Sequence, residues 1–220
     1  TSGSSSNVRT FTSGATLEKI DEARAITNLS SGLMGLNLAK MAYIMGAEVT
    51  VISGHSDYEF PSCIKTIKAI NHDAMDKSIT SNIEKNDIYI SAAAISDYKP
   101  NFTKGKIKKK NENLSLELKK TKDILFHIGK DFSHKLIVGF AAESENLIEN
   151  ARNKLVTKNL DIIIANEIIN SMGKTKAKMV IIDQYEEKYL PEAEKELQSK
   201  LILEHIFKFF SRVKTHDTIN

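Results

Sequence analysis

The sequence predicts an α/β fold: a three-layer, Rossmann-like domain with a mainly parallel sheet and a β-hairpin arm. Three observations carry this. Short β-branched runs alternate with helix-forming stretches along most of the chain. Runs ending at Thr12, Ser91, Phe140 and Ala165 each give way to a polar or small-residue loop, and parallel sheets bind ligands beyond such carboxyl ends. Residues 102–118 break the rhythm with a polar–apolar alternation suited to a hairpin. With 220 residues, 41% of them hydrophobic and 27% charged, the chain can bury one full core and needs no second domain.

The opening Thr1-Ser2-Gly3-Ser4-Ser5-Ser6 reads as a flexible linker or tag, so the domain is expected over 8–210, with the arm at 102–120 and a frayed tail at 211–220. A strand over Val8 to Thr12 leads into a long polar loop that ends in Ser30-Ser31-Gly32, just before the helix-forming stretch Leu33 to Met45. A helix N-terminus offers free N–H groups and the positive end of its dipole, and the two hydroxyls and the close backbone at Gly32 add to it. The stretch reads as a phosphate cradle. Its glycines alone are weak, because no Lys-Ser or Lys-Thr pair follows as in a Walker A loop, and Gly32-x-x-Gly35 is only part of a dinucleotide fingerprint. Gly32 and Gly35 fit a tight turn and close helix packing equally well.

A buried strand over Glu48 to Ser53 ends in Gly54-His55-Ser56, with Asp57 slightly later, where a nicotinamide-binding unit would place an acid for the ribose. Ile64 to Ile70 is expected as a third strand, Asp73 as the N-cap of a helix to about Lys85, and Asp87 to Ser91 as another strand with Ile88 and Ile90 on one face. The small residues Ala92-Ala93-Ala94 beyond it let a flat ligand approach the backbone, and Asp97 is suited to an amine, a hydroxyl or a metal-bound phosphate. Taken alone, these residues fit better as three alanines packed under a helix and an aspartate capping a turn. Within the arm, Lys106 to Lys110 and Leu114 to Leu118 alternate around Asn111-Glu112-Asn113, which suits either a solvated hairpin or a flap closing on a triphosphate.

Thr121 is expected to cap the next helix, through Lys122-Asp123-Ile124-Leu125. Leu136 to Phe140 is a buried strand, and Phe140 at its end is either core or a face for a stacked base. A helix from Leu147 to Lys158 carries Lys154 and Lys158 on one face near its C-terminus, where cations complement the dipole. In a doubly wound sheet that end lies away from a pocket at the strands' carboxyl ends. A strand over Asp161 to Ala165 ends in Asn166, Lys178 to Asp183 and Lys188 to Leu190 form a terminal β pair, and Pro191 opens an amphipathic last helix.

With 31 basic against 28 acidic residues, the net charge of +3 is too small for a nucleic-acid surface and points to a small anionic ligand. The single cysteine, Cys63, excludes an internal disulfide framework, and no apolar run is long enough to span a membrane, so a cytoplasmic location is expected. The six histidines form no ligand cluster in sequence, and His205, within an apolar stretch, reads as a core residue.

Taken whole, the motifs resemble phosphopantothenoylcysteine synthetase, the ligase half of a bifunctional coenzyme A biosynthesis protein. The resemblance runs through Thr12-Ser13-Gly14-x-Thr16, Ile20-Asp21-x-x-Arg24, Ile26-Thr27-Asn28-x-Ser30-Ser31-Gly32-x-Met34-Gly35, Ala93-Ala94-x-x-Asp97-Tyr98-x-Pro100, Lys106-Ile107-Lys108-Lys109, Gly139-Phe140-Ala141-Ala142-Glu143 and Ala151-Arg152-x-Lys154-x-x-x-Lys158. It covers about Val8 to Phe210, with Lys122 where the family usually carries proline. It implies that 4′-phosphopantothenate and cysteine are joined through an acyl cytidylate formed from CTP with Mg²⁺. CTP rather than ATP follows from the bacterial and archaeal type of the family. It also implies that Gly14, Ser30, Ser31 and Gly32 hold phosphates, and that Ala92, Ala93, Ala94, Asp97, Asp123, Ile124, Phe140, Lys154 and Lys158 hold nucleotide. Asn28, Ala94 and Asn166 would meet substrate, Lys106 would act with Asn28 in catalysis, and Asp97 is a candidate for the metal. Its further implications are a homodimer, and a flavin-dependent decarboxylase as fused or separate partner, with no flavin in this region. A nicotinamide-dependent oxidoreductase and a non-catalytic nucleotide-binding module are the alternatives.

Overall fold

A computed structural model describes residues 8–108, 113–167 and 176–217. The N-terminal linker and the arm tip at 109–112 lie outside the described residues. In chain order the elements are β1 (Val8–Ser13), β2 (Leu17–Lys19), β3 (Ala25–Thr27), α1 (Leu33–Ile44), β4 (Glu48–Ser53), β5 (Lys65–Lys68), α2 (His72–Asn82), a 3₁₀ turn (Ile83–Lys85) and β6 (Ile88–Ser91). There follow β7 (Tyr98–Pro100), β8 (Leu118–Lys120), α3 (Ile124–Asp131), β9 (Leu136–Glu143), α4 (Leu147–Thr157), β10 (Ile162–Glu167), β11 (Lys176–Ala177), β12 (Met179–Asp183), β13 (Glu187–Tyr189), β14 (Ala193–Glu194) and a last helix, α5 (Lys195–Asp217).

The main sheet has eight strands in the order β13-β12-β10-β9-β6-β1-β4-β5. From β10 to β5 neighbours run parallel, while β12 and β13 extend the sheet antiparallel. Both faces are covered, so the strands are apolar on both sides, as in doubly wound sheets. Along β6 the alternation is visible residue by residue. Ile88 and Ile90 face Leu38 and Ala42 of α1 and Ile202 and Ile206 of α5. Tyr89 faces the layer of α2, α3 and α4, with Met75, Ile79, Ile128 and Ala151. The three-layer α/β expectation therefore holds, and the four loops expected to share an edge leave β1, β6, β9 and β10, which are adjacent.

Several local expectations shift. The α2 N-cap is Asn71, whose side chain accepts from Ala74 N at 2.9 Å, while Asp73 sits in the first turn. Asp123, not Thr121, caps α3; the Thr121 hydroxyl is drawn instead to Ser96 O, at 2.8 Å. Residues 106–108 and 113–117 are not strands. The arm is closed at its base by the antiparallel pair of β7 and β8, with Pro100 opposite Leu118. Pro191 does not open the last helix: β14 intervenes, paired with β11, and α5 begins at Lys195. α5 also runs to Asp217, past the expected fraying at 211.

Candidate functional site

The loop after β1 makes the first wall. Gly14, with φ +78°, turns the chain so closely under the β4 end that a Cβ there would lie 2.3 Å from His55 O. Gly32, the α1 N-cap, has φ +80°, and a Cβ would lie 2.4 Å from Ser56 Oγ. Gly35 packs so closely on β1 that a Cβ would meet Ser13 Oγ at 2.2 Å, and Ser13 Oγ donates to Gly32 O at 3.1 Å. Gly32 and Gly35 thus make the tight turn and the close helix packing, and they set Gly32, Leu33 and Met34 at the start of α1 on the wall of a cleft. The Gly54-His55-Ser56 run lies against this cradle, where a ribose-binding acid would otherwise stand.

The second wall is the loop after β6. Ala93 N donates to Thr12 Oγ1 at 3.2 Å, Ala94 N to Gly14 O at 2.8 Å, and Ser96 N to Thr16 Oγ1 at 2.9 Å, so the small-residue loop is held to the β1 loop by its backbone. Asn28 Nδ2 donates to Ala94 O at 3.1 Å. Asp97 is exposed at the mouth.

Between these walls lies a cavity of about 320 Å³. Of the residues expected at the site, Ser30, Ser31, Gly32, Ala92, Ala93, Ala94, Asp97, Asp123, Ile124, Phe140, Lys154, Lys158 and Asn166 line it. Gly14 and Asn28 do not line the cavity, but both bond to Ala94, which does: Ala94 N donates to Gly14 O and Asn28 Nδ2 to Ala94 O. Lys106 does not line the cavity. It is exposed on the arm, next to Ile107, whose N–H donates to Asp21 Oδ2 at 3.0 Å and whose carbonyl accepts from Arg24 Nη2 at 3.0 Å.

The position of Lys154 and Lys158 resolves a conflict between topology and motif. Gly129 lets α3 and the end of α4 touch: a Cβ there would lie 1.9 Å from Lys158 O. Since α3 has eight residues, about 12 Å in length, the Lys158 side chain spans the distance to its N-cap and pairs with Asp123 at 2.9 Å. Lys154 reaches Glu143, at the carboxyl end of β9. Burial raises the pKa of Asp123, but its bond from Phe126 N–H and its contact with Lys158 prevail, so the carboxyl is held below its ordinary range.

Sequence reasoning missed Lys122 and Lys195 in the lining. Lys122 was read only as a replacement for proline. Lys195 was placed a turn inside a helix thought to open at Pro191, whereas it is the first residue of α5. His205 is buried as expected, but with a partner: Nε2 lies 2.7 Å from Asp183 Oδ2. With Glu186 these side chains offer ligand atoms within 4.8 Å of one another, at the sheet edge opposite the cavity.

The DNA/pantothenate metabolism flavoprotein C-terminal domain family matches residues 6–210. The coenzyme A biosynthesis bifunctional protein CoaBC of Borreliella burgdorferi is 40% identical over 201 residues, 90% of this chain and 51% of that protein. The chain thus spans about half the length of this curated relative. The crystal structure of the C-terminal domain of a CoaBC protein superposes with a TM-score of 0.80 at 30% identity, covering 94% of this chain and 96% of that one. A Cab2 mutant in complex with phosphopantothenate-cysteine shares the fold, with a TM-score of 0.78 at 15% identity over 97% of this chain and 89% of that one. The chain belongs to the DNA/pantothenate metabolism flavoprotein C-terminal domain family, the phosphopantothenoylcysteine synthetase part of the bifunctional coenzyme A biosynthesis proteins.

Proposed function

We propose that the domain joins 4′-phosphopantothenate to the amine of cysteine with CTP as the activating nucleotide. The observation that carries this is the meeting, in one cavity, of a helix N-terminus, a small-residue loop with open backbone, and lysines from the opposite helical layer. A carboxylate resists amine attack until one oxygen becomes part of a good leaving group. In the first step a carboxylate oxygen attacks the α-phosphorus of CTP, the bond to the β-phosphate breaks, and pyrophosphate leaves. In the second, the cysteine nitrogen attacks the acyl carbon, the C–O bond to CMP breaks, and the nitrogen loses a proton to give the amide.

Ser30, Ser31, Gly32 and the first turn of α1 hold phosphate oxygens, with Gly14 shaping their approach. Ala92, Ala93, Ala94 and Phe140 receive base and ribose, and Asp123 and Ile124 close the other side. Asn28 and Asn166 hydrogen-bond substrate oxygens without repelling a carboxylate, and Lys106 offsets negative charge as the acyl phosphate forms and breaks. Lys154 and Lys158 draw in the triphosphate. The Asp97 carboxylate, which no described side chain engages, is a hard oxygen donor of the kind Mg²⁺ uses beside phosphates. Magnesium would neutralise triphosphate charge there.

The exposed apolar residues of the arm, among them Tyr98, Phe102 and Leu114, support a homodimer; a relative that is bifunctional and matched over only 51% of its length supports a second activity, a flavin-dependent decarboxylase in our reading, as fused or separate partner. Among the described residues no helix is long and apolar enough to cross a membrane; the cytoplasmic setting proposed for the chain rests on its place in coenzyme A biosynthesis.

The test is pyrophosphate release with phosphopantothenate, Mg²⁺ and either CTP or ATP, with and without cysteine. Sustained release requiring CTP and cysteine is expected. Release with ATP alone overturns the nucleotide choice. Binding of CTP without release favours a non-catalytic module, and tight NADH binding favours an oxidoreductase.

A further inference from the structure

Lys154 stands in the last turn of α4, a helix whose C-terminal end a doubly wound sheet carries away from the binding edge. A lysine side chain leans toward the N-terminus of its own helix, yet a free one spreads over many rotamers in water. Glu143 gives it one place. The Glu143 carboxylate pairs with Lys154 through Oε1, and through Oε2 it accepts from Asn150 Nδ2 at 3.3 Å, one turn earlier on α4. The Glu143 side chain is 16% exposed, against 40% for Lys154.

The strand that carries Glu143 is built for this. β9 pairs with β6 only as far as Gly139, opposite Ser91, but with β10 it runs on to Glu143, opposite Glu167. Residues 140–143 thus project past the end of β6, and the two-residue period of a strand divides them. Phe140 and Ala142 line the cavity, while Ala141 packs in the α2–α3–α4 layer and Glu143 meets α4. Glu143 itself does not line the cavity. The other ion pair at this wall is arranged differently: Asp123, the partner of Lys158, lines the cavity beside it and faces whatever enters. Glu143 grips Lys154 from behind the wall, where it takes no space from a ligand. An ammonium group has three donors, so the bond to Glu143 Oε1 leaves others for a ligand oxygen.

On the nucleotide reading of Lys154 just given, we propose that Glu143 is a positioning residue: it holds the Lys154 ammonium at the cavity wall and keeps its grip while that ammonium bonds a phosphate oxygen of the nucleotide. Two effects of the carboxylate oppose each other. Its charge repels a triphosphate, but from outside the lining and at a site that water screens. Its bond fixes the place of a cation that would otherwise have to be ordered when the nucleotide binds, and a group ordered in advance binds more tightly. The second effect is the larger, because it acts on a direct contact. Asn150 belongs to the same device, since it occupies the far oxygen and stops the carboxylate from turning away.

A double-mutant cycle separates positioning from mere charge or packing. Titration calorimetry of the 220-residue chain with Mg²⁺–CTP, and with Mg²⁺–tripolyphosphate as a probe that carries no base, compares wild type, Glu143→Ala, Glu143→Gln, Lys154→Met and the double variant Glu143→Ala/Lys154→Met. Glu143→Ala is expected to weaken binding by about threefold to tenfold, the range of one partly exposed charged bond. Glu143→Gln keeps an oxygen for Lys154 while dropping the charge, and is expected to bind more tightly than Glu143→Ala. The double variant is expected to match Lys154→Met, because Glu143 has nothing left to hold. Wild-type or tighter binding in both folded Glu143 variants overturns the proposal, since it makes the carboxylate a counter-charge only. So does an equal loss from Glu143→Ala with and without Lys154, or wild-type binding by Lys154→Met. Should neither Glu143 variant fold, the wild-type crystal structure with Mg²⁺–CTP decides. A phosphate oxygen within about 3.2 Å of Lys154 Nζ, with Glu143 still paired, supports the role. Glu143 parted from Lys154, or no phosphate there, overturns it. The expected cycle in a protein releasing no pyrophosphate would keep this proposal while ending the ligase reading. Pyrophosphate release with wild-type CTP affinity in both Glu143 variants would do the reverse.

Discussion

A methyl group on Gly35 would sit inside the contact distance of Ser13 and push α1 off β1. Gly35→Ala is therefore expected to destabilise the domain by about 1–3 kcal/mol in urea denaturation, the usual cost of forcing extra volume into a packed contact. It is also expected to weaken CTP binding, because the Ser13–Gly32 bond beside it shapes the cradle. Asn28→Ala removes a side chain that does not line the cavity but touches the loop that does. It should leave CTP affinity near normal while abolishing product; wild-type turnover would end the role proposed for Asn28. At this scale the sequence was legible where a residue type has one use and misleading where two neighbours compete. Asn71 and Asp73 are both good caps, as are Thr121 and Asp123. The choice between Thr121 and Asp123 was made by Ser96, a partner distant in sequence, which takes the Thr121 hydroxyl.

The arm shows what element-scale reading can and cannot do. Alternation at 106–118 marked an arm correctly but implied a hairpin ladder, whereas the pairing is confined to β7 and β8. Past its base, the arm is held by a clamp that sequence periodicity does not encode: Asp21 and Arg24 take the N–H and the carbonyl of Ile107 and bond each other. Hydrogen bonds from Arg24 and from Ile107 N–H hold the Asp21 carboxyl well below the usual carboxylate range. A depressed pKa means that the clamp is complete above the ordinary aspartate pKa and is lost only as the pH falls through the lowered one. Hydrogen exchange at the Ile107 amide should thus stay slow from neutral pH down to the ordinary carboxylate range. Asp21→Ala should speed it at every pH and lower ligase turnover by loosening Lys106; unchanged exchange would show that the clamp does not hold the arm. The crossover helix α4 was legible in type and extent. The reach of Lys154 and Lys158 to the cavity was legible only through the family resemblance, since nothing local announces that Gly129 brings the end of α4 against so short an α3.

For the whole molecule, the layer order and the edge that carries the cavity followed from the α/β rhythm, because a parallel sheet with right-handed crossovers leaves few other arrangements. The terminal pair of β12 and β13 was legible too; what stayed hidden is β14, which delays α5 and so sets Lys195 at the start of that helix, beside the cavity. Tyr98, Phe102 and Leu114 are 52%, 55% and 57% exposed on the arm, more apolar surface than a solvated arm needs. Sedimentation velocity should show a dimer, and Phe102→Glu combined with Leu114→Glu should shift it to monomer; a monomeric wild-type chain would remove the arm as an interface.

The cavity touches α1 and α5 on one face of the sheet and α3 and α4 on the other, two groups that otherwise communicate through the strands between them. A ligand seated there acts as a non-covalent cross-brace over the sheet's rim. At a hundredfold excess over its Kd it would add about 2.7 kcal/mol to unfolding, and would slow opening in both outer layers together, including α4, which carries no part of the phosphate cradle.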